Sequence, residues 1–174
     1  VCAQQIKFIP NRGQFEDGIL YKANIPAGTF FVQANCLTYL LHDGTAFAKY
    51  HDTHDTNIVV QFHAYKVWLE GASLTPGVIE TGTTPEYYNY FKGNDPKHWA
   101  TGVYGTYKVT LTGVYPKIDL EILSTPQKNL KYNFIVHPGG NPASIRLRYE
   151  GAGAVSLKNG ELHVQTVLGE MKEE

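Results

Sequence analysis

The stretch from Tyr115 to Gly151 sets the architecture, and it reads KIDLEIL (117–123), STPQKN (124–129), LKYNFIV (130–136), HPGGNPAS (137–144) and IRLRYEG (145–151). In the middle run Leu130, Tyr132, Phe134 and Val136 share one face and Lys131, Asn133 and His137 take the other, the period-two pattern of a half-buried strand; Ile135 is the exception. Ile118, Leu120 and Ile122 alternate with Asp119 and Glu121, and Ile145, Leu147 and Tyr149 alternate with Arg146, Arg148 and Glu150. Each segment therefore offers one apolar face, and three such strands form a sheet that needs a cover.

On either side of this stretch, ILYKANI (19–25), TFFVQ (29–33), YYNYF (87–91) and VYGTYKVTLTGVYP (103–116) read as further strands. LTYLL (37–41) and AFAKY (46–50) are expected to pair through Asp43-Gly44, a dipeptide suited to a type I′ hairpin. Residues 58–71 read as a strand with a break near Ala64, and residues 72–86, rich in Gly, Pro and Thr, read as irregular with one short strand. FIPNRGQFEDG (8–18) reads as an ordered loop, while Asp95-Pro96 and Asn141-Pro142 suit single helical turns. Asn159-Gly160 is the strongest hairpin signal, and a two-residue loop there pairs Lys158 with Glu161, Leu157 with Leu162 and Val155 with Val164, with an ion pair beside the turn. No long segment has helical periodicity. The expected fold is all-β: an antiparallel β-sandwich of two packed sheets with one or two single-turn helices, forming one domain over residues 5–174.

A chain of 174 residues can bury a sizeable core without disulfides or metals. Hydrophobic residues make up 43% and charged residues only 18%, a profile that suits a secreted β protein. Fifteen basic residues balance sixteen acidic ones with no basic block, which argues against a nucleic-acid partner. No run of eighteen apolar residues exists, so no helical membrane span is expected. Val1–Gln4 reads as the remnant of a removed leader, in preference to a lipid-modified Cys2, and places the chain outside the cell or on its outer surface. Cys36 reads as a small buried hydrophobe rather than a reactive thiol or a bridge to Cys2.

Five motifs in order carry a family resemblance: PNRGQFEDGILYKA (10–23), YYNYFKGNDPKHW (87–99), GVYPKIDL (113–120), LKYNFIVHPGGNPASIRLRYEGA (130–152) and LKNGELHVQTVLGE (157–170). Together they resemble the N-terminal domain of unknown function that precedes SBBP-type β-propeller repeats, or gliding-motility-associated C-terminal segments, in secreted and surface proteins of Bacteroidetes-type bacteria. The resemblance implies an exported module at the head of a longer chain, with no established activity for the domain itself. The expected role is a non-catalytic structural or adhesion module with the downstream domains as partners and no cofactor; the alternatives are a carbohydrate-binding module and, behind it, a glycan hydrolase. Residues His42 to Thr56 match nothing in that pattern.

Four sets of residues could carry chemistry. Tyr87, Tyr88, Tyr90, Trp99 and Tyr104 are candidate contacts for a glycan or another surface protein, because aromatic faces left exposed on a sandwich can stack on sugar rings; the competing reading is core packing. His42, His51, His54 and Asp52 are the densest set of potential zinc ligands, though a His-x-x-His pair in a polar loop is more often a solvated turn. Asp119 and Glu121 share a strand face at a glycosidase-like separation, yet they read more simply as the solvent side of the strand, paired with Arg146 or Arg148. Serines 73, 124, 144 and 156 fall where turn or strand chemistry accounts for them, and no nucleophile elbow or phosphate loop is present.

Overall fold

The computed structural model describes residues 5–26, 28–55, 57–125 and 129–173, with side chains through Lys172. The expected leader remnant and any role of Cys2 lie outside the described residues. In chain order the strands are β1 (Phe8–Pro10), β2 (Ile19–Ile25), β3 (Gly28–Gln33), β4 (Cys36–His42), β5 (Phe62–Leu69), β6 (Gly77–Phe91), β7 (Trp99–Tyr115), β8 (Ile118–Ser124), β9 (Leu130–Val136), β10 (Leu147–Glu150), β11 (Val155–Lys158), β12 (Glu161–Thr166) and β13 (Gly169–Glu173). All pairings are antiparallel.

Two sheets result, as alternation predicts, but they are very unequal. Ten strands form one sheet in the order β10-β5-β4-β3-β2-β1-β7-β8-β9, with β6 added on β7, and β11-β12-β13 form the other. The large sheet curls so that the residues flanking β5 and β10 reach the end of β7: Ser73 N–H donates to Val114 O at 2.8 Å and Tyr115 Oη donates to Arg146 O at 3.3 Å. Phe8, Phe30, Val67, Leu111, Leu120 and Ile122, all fully buried, line the resulting core, and Val164 of the small sheet closes it. Val164 is 0% exposed, so the second layer is docked by burial rather than by shared strand hydrogen bonds.

Several expectations change. Asp43-Gly44 does not turn a hairpin; it starts a helix, α1 (Gly44–Thr53), in place of the expected strand 46–50 and the first half of the polar loop. A type I′ turn needs positive φ at both central residues, whereas Asp43 sits at φ −66° and its carboxylate accepts from Thr45 N and Ala46 N. His54 closes the helix in the left-handed region at φ 54°, donating its N–H to Tyr50 O. No residue of α1 is buried, which is why its sequence carries little helical periodicity. Residues 77–86 are strand rather than irregular, extending YYNYF backwards into the fifteen-residue β6. β5 runs unbroken through Ala64 and starts only at Phe62, so Ile58 and Val60 lie outside it.

β8 pairs with β9 as expected, but β10 pairs with β5 instead of continuing that meander. The Asn159-Gly160 hairpin has the predicted register throughout, with φ 54° and 86° at its two turn residues. Its ion pair does not form across the turn: Lys158 reaches Glu170 at 3.4 Å, and Glu161 is taken by Lys172 at 3.4 Å. Single helical turns occur at Pro96–His98 and Pro142–Ser144, each capped by the preceding Asp95 or Asn141. Cys36 is fully buried with a free thiol, which burial pushes above its ordinary pKa.

Two outcomes test this architecture. Phe8→Ala, which empties the short strand joining β2 to β7, lowers the unfolding free energy in urea by about 3–5 kcal/mol. Asp43→Ala removes a cap worth about 1 kcal/mol to the helix, and hydrogen exchange then shows lost protection over residues 46–53 with β4 and β5 unchanged.

Candidate functional site

The chemistry-bearing feature with the clearest geometry is the ribbon formed by the far ends of β6 and β7. The connection between them is held by Asp95 Oδ1, which accepts from Lys97 N at 3.0 Å, and by Trp99 Nε1, which donates to Gly93 O at 3.2 Å. Across the ribbon Tyr87 opposes Tyr104, Tyr88 opposes Val103, Tyr90 opposes Ala100 and Phe91 opposes Trp99. Plain alternation sets Trp99 and Tyr104, five residues apart, on opposite faces. A bulge reverses that outcome. Thr101 and Gly102 together oppose Asn89, Gly102 takes φ 63°, and its N–H donates to Asn89 Oδ1 at 2.9 Å.

One face of the ribbon therefore carries four aromatics: Tyr87 (55% exposed), Phe91 (64%), Trp99 (41%) and Tyr104 (48%). Tyr87 and Tyr104 have ring centroids 5.6 Å apart, and Phe91 and Trp99 meet edge to face at 5.7 Å. Four strand residues, about 13 Å, separate the two pairs along β6. Beside them Tyr104 helps to wall an open cleft of about 390 Å³ whose polar lining includes Arg12, Glu80, Thr83 and Thr101. The loop that presents Arg12 is tightly built. Asn11 Oδ1 accepts from Gly13 N and Phe15 N, its amide donates to Phe15 O, Glu16 O and Ile19 O, and buried Gln14 donates to Pro10 O. Opposite, Tyr21 Oη donates to Glu80 at 2.5 Å; burial first, then the Glu80 carboxylate, push the Tyr21 hydroxyl well above the phenol range.

The predicted aromatic set thus splits. Tyr87, Trp99 and Tyr104 come together on the exposed face. Tyr88 and Tyr90 turn to the other side and pack with Ile9, Phe15, Ala100 and Val103. Phe15 meets Tyr90 edge to face at 5.6 Å, and burial raises the Tyr90 pKa. Phe91, four residues from Tyr87 in the same aromatic run, also belongs to the exposed face.

The four histidine and aspartate candidates do not converge. His42 stacks on Phe47 at 4.6 Å at the start of α1, whereas His51 and Asp52 lie in its last turn, and the His51 and His54 rings are 6.4 Å apart. Among the described residues no group of three or more His, Cys, Asp or Glu side chains is placed to hold a metal ion.

The acidic pair has partners other than the predicted arginines. Asp119 accepts from His137 Nε2 at 2.7 Å and from Gly113 N at 2.8 Å, while Glu121 takes Lys108 Nζ at 2.9 Å and Asn133 Nδ2 at 3.3 Å. Arg148 instead binds Glu70 and Glu150. Burial pushes the Asp119 carboxyl up, but the His137 and Gly113 hydrogen bonds outweigh it and hold the carboxyl below its usual range. The Lys108 hydrogen bond, only partly offset by burial, lowers Glu121.

Fold and site define a small antiparallel β domain with an exposed aromatic ribbon face. Residues 8–174 match the family described as domain of unknown function (DUF7948), and the chain belongs to that family. No curated protein and no solved structure matches it.

A carboxyl whose pKa is lower in the folded state stabilises the fold above the unfolded pKa and loses that effect as pH falls through the folded pKa. The melting temperature therefore declines below about pH 4, and Asp119→Asn both lowers it at pH 7 and flattens that acid decline.

Proposed function

We propose that this domain is a non-catalytic adhesion module of a longer exported protein, and that it makes contact through Tyr87, Phe91, Trp99 and Tyr104. The observation that carries the reading is the exposed aromatic face. Large rings left in water on a rigid two-stranded ribbon gain more from a partner than from solvent, and their few rotatable bonds make ordering them cheap. The acidic pair, each member engaged by a neighbouring cation or imidazole, supports a structural role for those carboxylates.

The context suggested by the family resemblance completes the reading: a module ahead of propeller repeats or a gliding-motility-associated segment, displayed on the outer cell surface. Its partners are then the downstream domains and an outside ligand. A second reading, carbohydrate binding, is favoured by the cleft beside Tyr104, which sets polar groups next to the aromatic rings as sugar recognition requires.

The deciding experiment uses Tyr104→Ala and Tyr87→Ala on a glycan array and against whole cells. Both side chains are about half exposed, so folding is retained. Loss of roughly tenfold or more in binding with unchanged melting supports the aromatic contact. Binding that survives the double substitution overturns it, and array signals without surface binding favour the carbohydrate reading.

A further inference from the structure

We propose that the outer edge of β6 over Gly77–Thr81 is a self-association site, where a second copy of this chain adds its own β6 antiparallel about a two-fold axis at Ile79. β7 has both edges used over this length, by β6 on one side and β8 on the other. β6 is consequently outermost, and among the described residues its outward N–H and C=O groups over Gly77–Glu80 have no backbone partner. Such an edge is a template for another strand.

The strand is guarded along only half of its length. Gly82 adopts φ 77°, the register slips between Thr83 and Tyr87, and Pro85 has no N–H to offer. Gly77 to Thr81 has none of these devices. Its register with β7 is continuous from Gly77↔Thr112 to Thr81↔Lys108, and it leaves Val78 and Ile79 43% and 54% exposed. Val78 and Glu80 lie on the core side of the sheet, opposite buried Leu111 and Val109, while Ile79 and Thr81 lie on the outer side.

The choice of a second copy as occupant comes from the order of these five residues. A two-fold axis at Ile79 sets Ile79 against the partner's Ile79, Val78 against the partner's Glu80 and Gly77 against the partner's Thr81. The central pair is β-branched, and no carboxylate faces another. An axis one residue on would set Glu80 against the partner's Glu80, and one residue back would bring Pro76 into the ladder. Two-fold symmetry requires an antiparallel pair, the kind that every strand pair among the described residues makes. An interface of five residues per copy is small, so association is expected in the micromolar to millimolar range. A dimer of this kind doubles the number of aromatic faces on one particle.

Sedimentation velocity of the full chain over that range, combined with site-directed cross-linking in a Cys2→Ser background, tests the proposal. Cys36 is buried and does not interfere. Facing residues of an antiparallel pair have Cα atoms about 4.5–5.5 Å apart, within disulfide range. Ile79→Cys should therefore give a disulfide-linked dimer on mild oxidation, and Thr83→Cys, beyond the break, should not. Ile79→Lys, which sets two ammonium groups face to face, should weaken association at least tenfold, whereas Thr83→Lys leaves it unchanged. Because Ile79 is more than half exposed, the variants keep the wild-type melting curve. A wild-type chain that stays monomeric throughout, equal cross-linking at residues 79 and 83, or association untouched by Ile79→Lys overturns the proposal.

Discussion

β7 divides one of its edges between two partners, and the rest of the domain is a consequence of that division. From Lys108 to Tyr115 the edge pairs with β8, and at Thr106 it passes to β1, which in turn leads to β2, β3, β4 and β5. One strand cannot hold two neighbours on the same edge without the sheet bending where they change over. Gly105 sits at that changeover, where an added Cβ would lie 2.9 Å from the Ile9 side chain and 3.4 Å from Phe8 O. The bend turns a single sheet back on itself, so that β2–β5 and β7–β8 bury their apolar faces against each other and β11–β13 need only close the remaining gap.

The same changeover explains why the aromatic ribbon is exposed. Residues of β7 before Thr106 and the matching end of β6 lie past the main core, backed only by the small cluster of Ile9, Ala100 and Val103 with Phe15, Tyr88 and Tyr90 around it. A two-stranded ribbon has two faces and this cluster covers one. The bulge at Thr101-Gly102 then gathers Trp99 and Tyr104 on the uncovered side, where alternation alone would have divided them. Site and fold thus share one cause, the point at which β7 exchanges β8 for β1.

Surface electrostatics plays a secondary part. Lys108–Glu121 joins β8 to β7, Asp119–His137 joins β8 to the residue after β9, and the Lys7–Glu86 contact links the start of β1 to β6; solvent-accessible pairs of this kind contribute about 1 kcal/mol or less each. Burial of the core side chains is the larger contribution by far. The acidic pair on β8 illustrates the point: its carboxylates keep the sheet's outer surface tied together, one to β7 and the other to the residue after β9.

Period-two alternation in KIDLEIL and LKYNFIV, the Asn159-Gly160 register, the Asp95 and Asn141 caps and the burial of Cys36 were all legible by residue number, because each depends on near neighbours in the chain. Asp43-Gly44 misled for the same reason: both a hairpin and a helix cap are available to that dipeptide, and here the Asp43 carboxylate accepts from Thr45 N and Ala46 N and caps a helix. Residue order alone settles which face of each strand is apolar, and hence an all-β domain with a packed interior. Long-range packing settles which strands are neighbours, that β10 joins β5, that β6 is an edge, and that Trp99 and Tyr104 share a face with Tyr87. The physical reason is that alternation specifies the side a residue faces, whereas partner choice and bulges are set by contacts between residues far apart in the chain.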